Sequence, residues 1–385
     1  MKMGELVSSI TAEPGLTWLT QPRMSGKQSW NIAVLPGDGV GPEVIAEGVR
    51  ALKAVENCLS GVQFELVETS AGAAEFLRSG EALPAPALET CRTADATLLG
   101  SMGLPNVRWP DGRELTPQLD LREKLDLYCG LRPARLYHAN DTPLKQFEAG
   151  QIDFVIVREN TEGLFSARQS KGNGSAAEAC DTLRITRRGA ERLFRSAFQI
   201  ARGRRRKVTL VDKANVLPSM VFFRRVFDGI AGEFPDVETE RIYVDAAALY
   251  LLRYPDRFDV LVTENMFGDI LSDLSASLVG GMGMAPAADI GDQHAVFQAA
   301  HGSAPDIAGK GIANPVAAIL TVALMLDWLN TLEARKGAAM IRGAVETVLA
   351  DPANRTPDCG GRLSTREMGE LIVAHLEAPC PKSLT

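Results

Sequence analysis

The sequence predicts a globular protein with an α/β fold, and three observations carry this prediction. From residue 31 onward, short apolar runs alternate with amphipathic helical segments, which is the pattern of a parallel sheet covered by helices. The chain has 385 residues, enough for two domains or one large domain. Its content of 45% hydrophobic and 23% charged residues is ordinary for a globular protein.

The composition also argues against several classes of function. A formal net charge of −7 argues against a general nucleic-acid binder, and no apolar run approaches the length of a membrane span. The cysteines are scattered without a CxxC pair, so we predict reduced thiols in a cytoplasmic protein rather than a zinc site or a disulfide framework. They are Cys58, Cys91, Cys129, Cys180, Cys359 and Cys380.

The first 30 residues lack the continuous apolar core of a signal peptide. They are rich in Ser, Thr, Gly, Pro and Gln, so we predict a disordered N-terminal extension over residues 1–30.

The remaining elements follow in chain order from the lengths of the apolar runs and their periodicity. Predicted strands cover residues 31–35, 64–67, 96–100, 131–135, 152–157, 208–211, 260–262 and 296–300, and a further strand ends at 243–245. Predicted helices cover residues 42–55, 121–127, 188–201, 246–252 and 316–329, and one more begins at Asp269.

The first predicted strand runs into a glycine-rich turn. Gly37, Gly39 and Gly41 fail the dinucleotide-binding fingerprint, because Pro42 stands where the third glycine is required. Pro42 is better placed as the first residue of a helix. The turn is therefore tight and useful to a ligand, but it is not a Rossmann cradle.

The stretch after strand 260–262 carries the most specific chemistry. Residues 265–268 are predicted to form a turn, and a helix is predicted to start at Asp269. Asp269 and Asp273 are four residues apart, so they share one face of that helix. They are either two solvated acids of the first turn or two oxygen ligands for Mg²⁺ or Mn²⁺.

Other charged residues also follow predicted strands. Lys213 and Asp245 each come just after one, and ligands of α/β sheets gather at the carboxyl ends of strands. Together with Asp269 and Asp273 they predict one site with three acids and one base. Three arginines can add bidentate bonds to carboxylates, which indicates a metal-bound substrate with several negative charges. These arginines are Arg122, Arg132 and Arg158.

Several segments together resemble the β-decarboxylating dehydrogenases, a family of isopropylmalate, isocitrate, homoisocitrate, tartrate and D-malate enzymes. The segments are Leu35–Val44, Leu131–Pro133, Asp212–Val216, Asn265–Asp273 and His301–Pro315, and the last is most similar to the cofactor loop of isopropylmalate enzymes. The resemblance implies a non-Rossmann, isocitrate/isopropylmalate dehydrogenase-like fold of two domains. Residues 31–130 plus 285–385 would bind the cofactor, and residues 131–284 would bind substrate and metal and form a homodimer.

The resemblance also implies a reaction, which is the oxidation and decarboxylation of a 3-substituted malate, best 3-isopropylmalate, with NAD and Mg²⁺ or Mn²⁺. Lys213 would help to remove the hydroxyl proton. Asp245, Asp269 and Asp273 would bind the metal ion, with Lys213 and Asp245 reaching into the partner's site. The arginines would hold the substrate carboxylates, and the cofactor residues would be His301, Gly302, Ser303, Ala304, Pro305, Asp306 and Asn314. Asp306 stands where NAD enzymes of the family carry an acid that would repel the 2′-phosphate of NADP.

Two departures from the family pattern keep other substrates open. Phe165 stands where the family usually has a tyrosine that protonates the enolate, and a phenyl ring has no proton to donate. Thr116 and Gln118, predicted to bind the substrate, are polar where isopropylmalate enzymes are apolar. The alternatives are a tartrate, D-malate or isocitrate enzyme, and a weakened homologue that binds NAD or a metabolite without efficient turnover.

Overall fold

The structure, a computed structural model, describes residues 27–169 and 178–378. Ten strands within these ranges form one sheet in the order β2-β1-β3-β10-β9-β4-β5-β8-β6-β7. The strands are β1 (Ser29–Leu35), β2 (Gln63–Glu68), β3 (Ala96–Leu99), β4 (Cys129–Arg135), β5 (Asp153–Glu159), β6 (Lys207–Asp212), β7 (Glu238–Tyr243), β8 (Val260–Thr263), β9 (Ala288–Ile290) and β10 (Ala295–Gln298).

Helices connect these strands and cover the sheet. They are α1 (Gly41–Cys58), α2 (Ala73–Ser79), α3 (Ala85–Thr93), α4 (Pro117–Lys124), α5 (Arg187–Arg202), α6 (Pro218–Ala231), α7 (Val244–Arg253), α8 (Asn265–Ser277), α9 (Val316–Leu329), α10 (Leu332–Leu349) and α11 (Thr365–Glu377). No helix in the described part of the chain combines the length and the apolarity that crossing a bilayer requires.

The sheet is mixed, so the expectation of a parallel sheet is wrong at its centre. Strands β2, β1, β3 and β10 are parallel to one another, as are β5, β8, β6 and β7. The pairs β10–β9, β9–β4 and β4–β5 between these two groups are antiparallel. The two parallel groups therefore run in opposite directions, and their carboxyl ends lie at opposite edges of the sheet.

Most predicted elements lie where the sequence pattern placed them, and two helices start more than two residues away from the predicted position. Helix α9 has the predicted bounds, and every one of its residues is buried. Helix α8 begins at Asn265 rather than Asp269, because the Glu264 side chain caps it by accepting a hydrogen bond from the Phe267 backbone N–H at 2.7 Å. Helix α4 spans Pro117–Lys124 instead of 121–127, since Pro117 fits a helix's first turn.

The start of the chain and its cysteines also differ from expectation. Strand β1 begins at Ser29, so the predicted disordered extension 1–30 overlaps the sheet by two residues, and its first 26 residues lie outside the described range. Cys58 is disulfide-bonded, contrary to the expectation of six reduced thiols. The spacing of cysteines in a sequence does not report which side chains meet in the fold. Four cysteines in the described ranges are free: Cys91, Cys129, Cys180 and Cys359. The cytoplasmic location inferred from reduced thiols stays a prediction.

Candidate active site

The predicted substrate arginines converge on one face of the three central strands β9, β4 and β5. Gly130 of β4 lies opposite Arg158 on one side and opposite Asp289 on the other. Side chains of directly paired residues point to the same face of a sheet. Arg132 is two residues after Gly130 in β4, so its side chain points to this face as well. Arg122 reaches this face from α4.

Asp289 joins two of the arginines. The Arg122 Nε donates to Asp289 Oδ2 at 2.7 Å, and the Arg132 Nη2 donates to Asp289 Oδ1 at 3.0 Å. The Asn160 amide adds a third hydrogen bond to Oδ1 at 2.8 Å. All four side chains are buried. Although burial acts in the opposite direction, Arg122 and Arg132 hold the pKa of Asp289 well below its usual range, so it is a carboxylate.

Gly130 makes room for this network. A Cβ at position 130 would lie 2.6 Å from the Asn160 side-chain oxygen and 2.7 Å from its nitrogen. The absence of a side chain in the central strand lets Asn160 pass over β4 and reach Asp289 on the next strand. Asn160 Oδ1 is buried without a hydrogen-bond partner among the described residues, which leaves an acceptor for a ligand in the cluster.

Arg158 is held from the other side by the start of α8. Its Nη2 and Nε donate to Asn265 Oδ1 at 2.8 and 3.1 Å, and its Nη1 forms an ion pair with Asp269. The guanidinium carbon lies 5.2 Å from the centre of the Phe165 ring. Burial, with Arg122 nearby, lowers the pKa of Arg158 to about 10, so the side chain still carries its charge near neutral pH.

Asp269 and Asp273 share one face of α8, as predicted, beside these arginines. Because α8 begins at Asn265, Asp269 lies in its second turn and not at its N-terminus. Burial and the neighbouring charge of Asp269 raise the pKa of Asp273, while Arg158 and Arg132 lower it. Two carboxylates one turn apart in a partly dehydrated position are suited to a divalent cation, which would offset their repulsion.

Lys213 and Asp245 form a separate pair in this chain. The Lys213 Nζ donates to Asp245 Oδ1 at 2.7 Å, and this hydrogen bond lowers the pKa of the exposed Asp245. In residues 27–169 and 178–378, no three His, Cys, Asp or Glu side chains are grouped closely enough to hold a metal ion. One chain therefore does not group Asp245 with Asp269 and Asp273, and the assignment of the three acids to one shared site, with Lys213 and Asp245 reaching into the partner's site, stays a prediction.

The predicted cofactor loop follows β10 at the opposite edge of the sheet. The Val40 backbone N–H donates to the Ser303 carbonyl at 2.8 Å, and a Cβ on Gly39 would lie 1.9 Å from that oxygen. The glycine-rich turn after β1 is thus packed against the loop. Ala304 adopts a left-handed conformation with φ of 38°, a strained backbone of the kind found in ligand-binding loops. Gly302, Pro305 and Asp306 are exposed.

His301 presents an unused polar atom in this loop. Its Nδ1 lies 2.9 Å from the Gly302 carbonyl, which can only accept, so Nδ1 carries the proton and Nε2 a lone pair. Nε2 is buried with no partner in the described residues, and burial lowers the pKa of His301, which keeps the ring neutral. Asn314 is committed inside the chain, where its amide donates to Asp358 at 3.2 Å and accepts from the Val316 N–H at 3.1 Å.

Thr116 and Gln118 lie at the start of α4, six and four residues before Arg122. Thr116 is the N-cap residue, but its side chain makes no capping hydrogen bond. Gln118 Oε1 is buried and has no hydrogen-bond partner in the described structure. Residues four apart share a helix face, so this acceptor lies on the side of α4 that carries Arg122.

Sequence reasoning missed three residues of the site. Asn160 and Asn265 lay inside matched or noted motifs but were given no role, and Asp289 belongs to a three-residue strand, β9, that was not predicted. A lone acid within the apolar run Met284–Ile290 was the one available signal, since a buried acid needs a partner.

The chain is similar in sequence and in fold to known proteins. Residues 31–372 match the family described as isocitrate/isopropylmalate dehydrogenase. The 3-isopropylmalate dehydrogenase of Moorella thermoacetica is 45% identical over 361 residues, which cover 90% of this chain and 99% of that protein. The 3-isopropylmalate dehydrogenase of Aquifex aeolicus is 40% identical over 363 residues, 91% of this chain and 98% of that protein.

Solved structures are similar over the same range. The isocitrate dehydrogenase from Methylococcus capsulatus has a TM-score of 0.81 and 38% identity, with coverage of 90% of this chain and 99% of that one. The apo β-decarboxylating dehydrogenase from Thermococcus kodakarensis has a TM-score of 0.76 and 40% identity, with coverage of 91% and 96%.

The packing of Arg158 against α8 predicts that Gly268→Ala is destabilising. A Cβ at position 268 would lie 2.6 Å from Arg158 Cγ and 2.8 Å from its Cβ, atoms close to the backbone that cannot swing away. We expect the free energy of unfolding to fall by about 1–3 kcal/mol, the usual cost of overpacking, in a urea titration.

Gly229→Ala in α6 is the matched control, because its Cβ would meet no atom of the described residues within 4 Å. Alanine is the better helix former, so this variant should be as stable as the parent or more stable by about 0.5–1 kcal/mol. Equal effects of the two substitutions would contradict the packing account.

Proposed function

Because the chain belongs to the isocitrate/isopropylmalate dehydrogenase family, we propose that it oxidises and decarboxylates 3-isopropylmalate with NAD and a divalent cation. Membership confirms the predicted fold class, α/β and isocitrate/isopropylmalate dehydrogenase-like, and the prediction of a dehydrogenase that acts on a CH–OH group. The division into domains at residues 31–130 plus 285–385 and 131–284 remains a proposal.

One observation carries the proposal, namely the meeting of Arg122, Arg132 and Arg158 on one face of the sheet beside the acids of α8. Three buried guanidinium groups suit a substrate with several carboxylates, since arginine binds a carboxylate with two parallel hydrogen bonds. The relatives that match over nearly the full length are named 3-isopropylmalate dehydrogenases, and this name gives the preferred substrate.

The acids of α8 support a divalent cation. Asp269 and Asp273 supply two carboxylates on one helix face, and hard oxygen ligands are those that Mg²⁺ and Mn²⁺ prefer. We propose that Asp245 of a second subunit adds the third, because its own chain does not bring it to the other two. When bound, the cation would polarise the substrate oxygens as a Lewis acid, and NAD would supply the hydride acceptor.

The loop after β10 supports a dinucleotide. The buried lone pair of His301 Nε2 requires a hydrogen-bond donor, which a nucleotide's amino and hydroxyl groups supply. We assign NAD rather than NADP because the exposed Asp306 carboxylate would repel a 2′-phosphate. The other proposed contacts of the loop are Gly302, Ser303, Ala304, Pro305 and Asn314.

The chain's own residues then do three things in the proposed reaction. The arginines hold the substrate carboxylates and fix the orientation of the hydroxyl-bearing carbon. Lys213, supplied by the partner subunit, helps to take the hydroxyl proton. Phe165 cannot return a proton to the product and instead packs its ring against Arg158, so the protonation step is served by another group or by water.

Exposed apolar side chains support the homodimer. Leu249 and Leu252 of α7 and Ile270 of α8 are 50%, 45% and 60% exposed. Asp245, Leu249 and Leu252 follow each other at four and three residues, so they form one stripe along α7. If this stripe packs against a second copy of the chain, Asp245 lies at the contact with that copy, which fits a shared active site.

A second substrate class is favoured by one observation. Among the described residues no donor bonds the buried Gln118 Oε1, and the neighbouring Thr116 hydroxyl makes no capping hydrogen bond, so both can bond a hydroxyl on C3 of the substrate. This favours tartrate as the second candidate. D-malate, which has no C3 substituent, and isocitrate would leave the acceptor without that donor.

The function is tested by NADH formation with Mn²⁺ and a panel of 3-isopropylmalate, tartrate, D-malate and isocitrate. We expect 3-isopropylmalate to give the highest kcat/KM, with CO₂ released in equal amount. A preference for tartrate would move the assignment to the second candidate. Failure to turn over any of the four acids while NAD still binds would contradict the proposal and favour the weakened homologue.

The metal role of α8 predicts that Asp269→Asn weakens Mn²⁺ binding at least about tenfold, as loss of a group supporting a metal site does. Calorimetric titration with Mn²⁺ measures this directly, and NAD affinity should stay nearly unchanged. Asp228→Asn is a matched control, because Asp228 is also about half exposed and paired with an arginine but lies on α6. Unchanged Mn²⁺ affinity in Asp269→Asn would contradict the metal assignment.

The apolar stripe predicts that Leu249→Lys shifts the protein from dimer to monomer. A charged side chain at the centre of an apolar interface must be desolvated, which opposes association. Sedimentation velocity should detect a loss of half the mass, whereas Leu77→Lys, at an even more exposed leucine of α2, should leave the dimer intact. A Leu249→Lys variant that sediments like the parent would contradict the proposed interface.

A further inference from the structure

Asp289 is a buried carboxylate for which the proposed reaction has no direct use. Its side chain is only 6% exposed, and its hydrogen bonds come from Arg122, Arg132 and Asn160. Burial of a carboxylate is costly unless it is paired, and here the partners are two groups proposed to hold the substrate. The carboxylate therefore competes for the same positive charge that the substrate would use.

The charges of the pocket can be summed from the side chains that meet there. Arg122, Arg132 and Arg158 contribute three positive charges, and Asp269, Asp273 and Asp289 contribute three negative charges, so the sum is zero. Glu264 lies next to Arg158, but its carboxylate caps the first turn of α8 and is compensated by the helix N-terminus.

The groups that complete the site change this sum in a defined way. The Lys213–Asp245 pair is neutral as a unit, so a partner subunit that supplies it adds no net charge. A divalent cation adds two positive charges. The pocket with its cation bound then has a net charge of +2, which the two carboxylates of a dicarboxylate substrate neutralise.

We propose that Asp289 is a positioning and specificity-determining residue that sets the pocket charge for a dicarboxylate and against a tricarboxylate. The inference rests on the proposed function and narrows it to one substrate class. Without the Asp289 charge, the pocket with its cation bound would have a net charge of +3 and would match a third carboxylate on C3. Asp289 and the three arginines are buried, and this makes the difference matter, because charges interact strongly where water is excluded.

Of the three acids of the pocket, Asp289 is the one that can set the pocket charge without binding the cation. Asp269 and Asp273 face the proposed cation, whereas both oxygens of Asp289 are bonded to side chains of the pocket wall. The same contacts orient Arg122 of α4 and Arg132 of β4 relative to each other. A test must therefore separate the charge of Asp289 from its hydrogen bonds.

Asp289→Asn removes the charge and keeps the shape and one acceptor oxygen. Because the amide nitrogen cannot accept one of the arginine hydrogen bonds, the separation comes from the ratio of two dissociation constants, which a general loss of arginine positioning leaves unchanged. Calorimetry with Mn²⁺ present would compare 3-isopropylmalate with isocitrate, whose C3 carboxymethyl group is similar in size to isopropyl. We expect the ratio of the two dissociation constants to shift about tenfold towards isocitrate, a change of one unit charge in a buried site.

Asp259→Asn is the matched control. Asp259 is also buried and bonded to an arginine, Arg204 at 2.8 Å, but it precedes β8 at the edge of the sheet away from the site. This variant should leave the ratio of the dissociation constants unchanged. A purely structural role of Asp289 would weaken both anions equally and leave the ratio as in the parent, and that result would overturn the proposal.

The parent protein gives a second test that does not depend on the folding of a variant. We expect it to bind 3-isopropylmalate at least about tenfold more tightly than isocitrate under the same conditions. Equal or tighter binding of isocitrate would overturn the role of Asp289. Tight binding of 3-isopropylmalate without NADH formation would contradict the proposed function alone, since the charge of the pocket acts on binding.

Discussion

The structure of the site depends on how three buried arginines are kept in place without a substrate. Like charges at this density repel, and burial together with the charge of Arg122 lowers the pKa of Arg158 to about 10. Asp289 bonds two of the guanidinium groups and Asp269 pairs with the third, so each positive charge has a counter-charge inside the protein. An incoming anion meets a preorganised and nearly neutral surface, and affinity then follows from the cation and from the geometry of the arginines.

The mixed centre of the sheet makes this arrangement possible. Strand β4 runs antiparallel to both β9 and β5, and this pairing brings Asp289, Gly130 and Arg158 into one row across the sheet. The same reversal sends the ends of the two parallel strand groups to opposite edges, so the loop of His301 and the acids of α8 do not start from one edge. The two proposed binding functions therefore belong to different halves of one continuous sheet.

Much of the fold and part of the site could be predicted from the sequence, for physical reasons that differ between elements. Helix α9 was predicted with its observed bounds because an apolar run of that length has few alternatives, and Asp269 and Asp273 share a face by helical geometry alone. The predicted start of α8 was wrong because the helix is capped by the side chain of Glu264, and the spacing of residues in the sequence does not predict that contact. Strand direction and the pairing of Asp289 with two arginines depend on tertiary contacts between distant segments, which no local pattern encodes.

In the proposed dimer, two subunits complete one site, with Asp269 from one chain and Asp245 from the other. Mixing Asp269→Asn subunits with Asp245→Asn subunits, each inactive alone, tests it directly. In a twofold dimer that exchanges subunits freely, half of the dimers are mixed and each mixed dimer has one intact site, so the mixture should recover about a quarter of the parent activity. If both acids served a site within one chain, every site would be broken and the mixture would stay inactive, which would contradict the account.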